Sequence, residues 1–100
     1  MANKVEETLA SSLDSVSAVF EARGACVHNI SVNGTYVGSV YLEKSFDSGS
    51  TWNVCNVFSN TNDIQTLICR EIEPKIHYRF RFAIYTSGDP YVRISEGGRF

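Results

Sequence analysis

The sequence has no two cysteines at a redox or metal-ligand spacing. Cys26, Cys55 and Cys69 are an odd set, widely separated, with no CxxC pair. A zinc site needs ligands clustered at short spacing, and His28 and His77 each stand alone on strand-like runs. The thiols are therefore expected to be reduced and to act mostly as small buried hydrophobes. No metal and no other cofactor is expected. Charge of one sign is also scarce. Nine Lys+Arg against eleven Asp+Glu leave a formal net charge of −2, which is no electrostatic footprint for nucleic acid or an anionic membrane. No apolar run approaches the roughly 20 residues of a membrane helix. No apolar stretch follows the first lysine as it would in a signal peptide, so the mature chain is expected to begin at or near Met1 and to fold without export. The sequons Asn29-Ile30-Ser31 and Asn33-Gly34-Thr35 are then expected to go unused. Repeats, low-complexity tracts and linkers are missing as well. The 100 residues make one domain with a small core.

What is present is alternation. Turn residues punctuate the chain about every ten residues, the spacing of an all-β sandwich or barrel. Residues 1–14 are polar and Ser-rich, with Val5 and Leu9 at helical spacing but in too short a run for a stable helix. They read as an extended arm or a short edge element ahead of a sandwich over 15–96 and a loose Gly-rich tail over 97–100. Val16, Ala18 and Phe20 share a parity in a first strand. Ile30 and Val32 are expected core positions of the next, and Asn33-Gly34 is the strongest hairpin signal in the chain. Val40, Leu42 and Phe46 share one face of a third strand, in which Gly38 marks a bulge or a close backbone approach. Trp52, Val54 and Phe58 share a face of the strand from Thr51 to Phe58. Ser59 to Asp63 is a polar loop, and Ile64 to Cys69 a short strand. Residues 76–85 alternate most cleanly, with Ile76, Tyr78, Phe80, Phe82 and Ile84 inward and His77, Arg79, Arg81 and Tyr85 outward. Tyr91 to Ser95 closes the domain, with Val92 and Ile94 inward. The sum is an antiparallel β-sandwich of about seven to eight strands, with jelly-roll or immunoglobulin-like wiring.

Between two of these runs lies SFDSGSTW, residues 45–52. Its Ser-x-Asp-x-Gly-x-Thr-Trp pattern resembles the Asp-box of sialidase propellers. The physics of the motif is local. Asp47 can accept backbone N–H bonds as in an Asx-turn, and Gly49 supplies a positive φ. Ser45 or Thr51 can bond across the corner, and Trp52 can cover it. Holding a hairpin in one shape uses every part of the pattern. A propeller needs several blades of about forty to fifty residues, which this length cannot supply. Glycoside hydrolysis needs two facing carboxylates, whereas Glu43, Asp47 and Glu73 are scattered. Nothing marks a Ser/His/Asp set. No catalytic residues are assigned, and no enzyme is expected.

The longer run NGTYVGSVYLEKSFDSGSTW, residues 33–52, resembles small virion proteins of tailed bacteriophages, with Ser39 and Ser48 where Thr and Gly are commoner there. Glu73-Pro74, the run Tyr78-Arg79-Phe80-Arg81-Phe82, Tyr85-Thr86-Ser87-Gly88 and the strand at 92–95 are similar to that group too. The resemblance spans about residues 15–95. It implies a non-enzymatic β-sandwich of the particle, best matched by a capsid decoration or cement protein. Its partners would be the major capsid protein or other virion proteins, with the subunits as dimers or trimers. The protein would be made in the host cytoplasm and reside in the virion. A head–tail joint or tail component is the nearest variant. Three contact regions are expected. One is the N-terminal arm with Val5 and Leu9. Another is the stripe His77, Arg79 and Arg81, whose plain alternative is a solvated sheet face. The last is the tail with Arg99 and Phe100. The competing expectation is a carbohydrate-binding module using Tyr36, Tyr41, Tyr85 and Tyr91.

Overall fold

The computed structural model describes residues 4–61 and 65–99, with all of their side chains but those of Asn60, Thr61 and Arg99. Among the described residues eight strands are formed: β1 (Lys4–Thr8), β2 (Phe20–Glu21), β3 (Cys26–Asn33), β4 (Tyr36–Ser45), β5 (Asn53–Thr61), β6 (Gln65–Glu71), β7 (His77–Gly88) and β8 (Tyr91–Arg99). No helix occurs among the described residues. The strands make two four-stranded antiparallel sheets, ordered β1-β8-β3-β6 and β2-β7-β4-β5. The first strand pairs with the last, the second with the seventh, the third with the sixth and the fourth with the fifth. Of the two wirings the sequence leaves open, this is the jelly roll.

Period-2 side chains from both sheets meet in one core. The first sheet supplies Leu9, Ile30, Val32, Val92 and Ile94, and the second supplies Phe20, Tyr36, Val40, Leu42, Phe58, Tyr78, Phe80 and Phe82. The inward set expected for residues 76–82 is thus in place. Gly34 takes φ +91° in the expected turn after Asn33, but the turn is no hairpin: β3 and β4 do not pair, and it carries the chain from one sheet to the other. Gly38 takes φ +133°, and a Cβ there would lie 1.9 Å from the Ile84 carbonyl oxygen. The close backbone approach expected of this glycine is present.

Several expectations are corrected, most of them by bulges. A bulge adds one residue to a strand and flips the faces beyond it. On β7, Val40 pairs with Phe82 but Ser39 with Ile84, so Ala83 is the extra residue. Ile84 consequently points outward, and Tyr85 packs on Phe82 from inside. On β5, Leu42 pairs with Asn56 but Glu43 with Val54, so Cys55 is extra. Val54 therefore lies on the outer face, 48% exposed, rather than in the core. Phe46 is 62% exposed because β4 ends at Ser45 and the corner begins there. Ahead of β2, Ser17 is buried instead of Ala18. Its backbone N–H bonds the Phe80 carbonyl at 2.9 Å, and its hydroxyl accepts the Phe80 N–H at 3.0 Å.

The polar start of the chain is an edge strand, not a free arm. Lys4 to Thr8 pair with Ser95 to Tyr91, and Leu9 is 1% exposed. Leu9 is therefore core, unavailable as a partner contact, and Val5 packs against the same core half-buried. The Gly-rich end is likewise a strand. Cys26 pairs with Arg99 and His28 with Glu96, so the Gly97-Gly98 pair absorbs a bulge and β8 runs on. Phe100 and the Arg99 side chain lie outside the described residues.

Candidate functional site

The corner between β4 and β5 is held from inside by Ser45. Its hydroxyl is fully buried and donates to Asp47 Oδ1 at 2.7 Å. It also accepts the backbone N–H of Gly49 at 2.8 Å and that of Asp47 at 3.3 Å. Asp47 Oδ1 takes the Thr51 N–H at 2.8 Å. The Ser45 and Thr51 bonds hold the Asp47 carboxyl below the usual carboxylate range. Ser48 and Gly49 both adopt positive φ, and the Trp52 ring lies over Gly49. The motif closes a hairpin corner as expected, with Ser45 as its buried centre. Replacing Ser45 by alanine leaves two backbone N–H groups without their acceptor. Ser45→Ala is expected to cost about 2 kcal/mol in urea unfolding, and a loss within error of zero would show that water replaces the hydroxyl.

The stripe His77, Arg79 and Arg81 is assembled on the outer face of the second sheet, but not as a free basic surface. Glu43, on the adjacent strand β4, is only 3% exposed and lies between the two arginines. Arg79 Nε donates to Glu43 Oε1 at 2.8 Å, and Arg81 Nε to Oε2 at 3.0 Å. Arg81 also reaches Asp14 Oδ1 at 2.6 Å. The Arg79 guanidinium stacks on Trp52, 4.3 Å from the ring centroid, and Arg81 sits over Tyr41 at 5.4 Å. His77 Nε2 lies 3.4 Å from Glu21. The arginines are thus neutralised and screened by rings. The sequence shows Glu43 only as one of three scattered carboxylates. The available signal was its parity with Tyr41 opposite the arginine-rich run, which places one carboxylate against two cations. Around this ion cluster the outer face is apolar, with Val37, Val54, Val57 and Ile84 exposed.

A second polar group lies at the end of the core. Tyr78 OH donates to Glu71 Oε1 at 2.7 Å, and Lys44 Nζ lies 3.1 Å from the same oxygen. Burial pushes the Glu71 carboxyl up, but bonds from Tyr78, the Glu73 N–H and Lys44 more than offset it, leaving it below the usual range. Cys69, 4.0 Å from Tyr78 OH, is driven up by burial and stays a thiol. The described cysteines are all unpaired, and Cys26 is buried as expected, while Cys55 is exposed on its bulge. No cluster of three or more metal-ligating side chains occurs among the described residues.

His28 is fully buried between Phe20 and Tyr78, and neither ring nitrogen has a hydrogen-bond partner. Burial holds its imidazole below the ordinary range, against the opposing pull of Glu96 and Glu71. The folded protein therefore keeps His28 neutral. The unfolded chain takes up a proton below about pH 6.5 that the fold excludes. Stability from this group is present above that pH and is lost as pH falls through it. The urea midpoint is expected to drop between about pH 7.5 and 5.5, and His28→Leu to flatten that slope. An unchanged slope in the variant would place the dependence elsewhere. Asp47 and Glu71, both held below the ordinary carboxylate range, do not titrate in this window.

Of the tyrosines considered for sugar, Tyr36 is buried, its hydroxyl donating to the Phe58 carbonyl at 3.1 Å. Tyr85 is turned to the core, and only Tyr41 and Tyr91 lie on outer faces, on opposite sheets. The outer face of the first sheet carries a shallow depression of about 370 Å³, floored by Asn29, Ser31, Thr66, Ile68 and Arg93.

The chain matches no protein-family model, no curated protein and no solved structure. Its function is therefore argued from the two outer faces themselves.

Proposed function

We propose that this chain is a non-enzymatic structural protein of a tailed-phage particle, a capsid decoration or cement protein that binds the assembled shell. The observation that carries the reading is the outer face of the second sheet. There Val37, Val54, Val57 and Ile84 are exposed around the Glu43–Arg79–Arg81 cluster, whose charges are already satisfied. Such a face is stiff and largely neutral, and it suits contact with another protein surface. The jelly-roll wiring recurs in viral capsid domains, though wiring alone assigns no function. The resemblance carried by residues 33–52 points the same way. The partner would be the major capsid protein or another virion protein, met by subunits acting as an oligomer. The mechanism is mass action. A subunit that binds only the assembled shell lowers the free energy of that state and opposes loss of capsomers.

The test is peptide mass spectrometry of particles purified from host cells that carry the gene, followed by labelled-antibody localisation on the particle. The chain is expected at near-stoichiometric amounts on the shell. Its absence from particles ends this reading, and a label confined to the neck or tail makes it a joint or tail component.

The depression on the first sheet supports a second reading, carbohydrate binding. Its amide, hydroxyl and guanidinium groups could hydrogen-bond a sugar, with Tyr91 in the same sheet. Jelly rolls also occur in lectins. A glycan array with the whole chain decides between the readings. Saturable binding that Asn29→Ala removes, without any affinity for shells, would favour sugar.

A further inference from the structure

The four strands at the edges of the two sheets are not equally protected. β1 is rich in charge, carrying Lys4, Glu6 and Glu7, and β2 is two residues long. β6 carries Arg70 and borders the polar face of the first sheet. β5 is different. Its nine residues, NVCNVFSNT, contain no charge, no proline and no glycine. A long edge strand normally carries such a device, because its unpaired N–H and C=O groups template another strand. The bulge at Cys55 and a second register shift between Ser59 and Thr61 interrupt it, which leaves residues 56–59 regular. The face beside it is the apolar one, with Val54 and Val57 about half exposed on β5 itself.

We infer that β5 is a self-pairing edge, and that two copies of this chain join β5 to β5, antiparallel, about a twofold axis. The joined sheets run continuously as β2-β7-β4-β5 and its symmetry mate. The chemistry that selects a second copy is neutrality. In an isologous antiparallel pair a residue on the axis faces its own copy and its neighbours face one another, so any charge there would lie close to the same charge. β5 has none to repel. Pairing also brings the exposed valines of both copies together on one face, so backbone bonding and apolar burial act in the same place. β6 has a comparable length but presents Arg70 at its end and a hydroxyl- and amide-bearing face beside it. The dimer needs no shell, so its test can fail while the particle reading stands.

Sedimentation velocity of the full chain over a wide concentration range is the first measurement, with amide hydrogen exchange the second. The wild type is expected to sediment with the mass of a dimer, with every amide of residues 56–59 protected. Val57→Lys puts a charge on the exposed face of the edge, and is expected to halve the mass while the far-UV spectrum holds. Alternate β5 amides should then exchange fast, as on an open edge. Ser59→Lys serves the same purpose should the first variant misfold. A wild type that stays monomeric overturns the inference. So does a dimer that survives both folded variants, or one broken by Ile68→Lys on β6 instead.

Discussion

Gly38→Ala is expected to lose about 4 kcal/mol or more, enough to remove most of the stability of a domain this size. The reason is positional. Gly38 sits in β4 at φ +133°, a backbone state that side chains rarely adopt. The added Cβ would fall 1.9 Å from the Ile84 carbonyl oxygen and 2.9 Å from its carbon. Both are backbone atoms of β7, the strand that β4 pairs along most of its length. Relief therefore requires parting two central strands, not turning a side chain. Gly49→Ala is the matched control. Its φ is +94°, but the added Cβ would meet only the Trp52 ring, at 3.5 Å. It should cost only the left-handed backbone term, about 1–2 kcal/mol. Urea unfolding of both variants checks this, and equal midpoints would refute the steric account.

Glu43→Ala is expected to be the next most damaging change, at about 3 kcal/mol. The Glu43 side chain is 4% exposed, while those of Arg79 and Arg81 are 23% and 27% exposed. Removing the carboxylate leaves two guanidinium groups side by side with Asp14 as the nearest remaining acid. The arginines can turn partly to water, which keeps the loss from being larger. Glu73→Ala, at an exposed position, is the comparison and should be near neutral. A Glu43 variant no weaker than the Glu73 variant would mean that the cluster is solvated and contributes little. The same change should also disturb the outer face of the second sheet, so shell binding is best assayed in variants at Val37 or Ile84, away from this pair.

The corner at residues 45–52 was readable because its parts are local. Asp47, Gly49 and Trp52 act within one turn, and the motif spells them in order. What local reading missed was the rank of Ser45, since burial of a hydroxyl depends on what lies over it. The alternation of residues 76–82 was readable for the same reason, but it misled at Ile84. A single extra residue, Ala83, reverses the faces, and nothing in its composition marks it. Val54 fails in the same way beside Cys55. The start of the chain stayed open between a free arm and an edge strand for another reason. Lys4 and Glu6 face outward on an edge strand, so β1 shows water half of its residues and reads as polar.

Sequence alone determined that the chain is built of strands, where the Asn33-Gly34 turn and the Asp47 corner fall, and that Val40, Leu42, Tyr78, Phe80 and Phe82 form the core. These follow from turn chemistry and a two-residue period, both set within a few residues. Tertiary structure alone decided that the first strand pairs with the last, that bulges turn Val54 and Ile84 outward, and that Glu43 is buried between two arginines. Each of those depends on which distant strand arrives alongside and in what register. That choice is made by the packing of the whole sandwich and leaves no mark on any short stretch of chain.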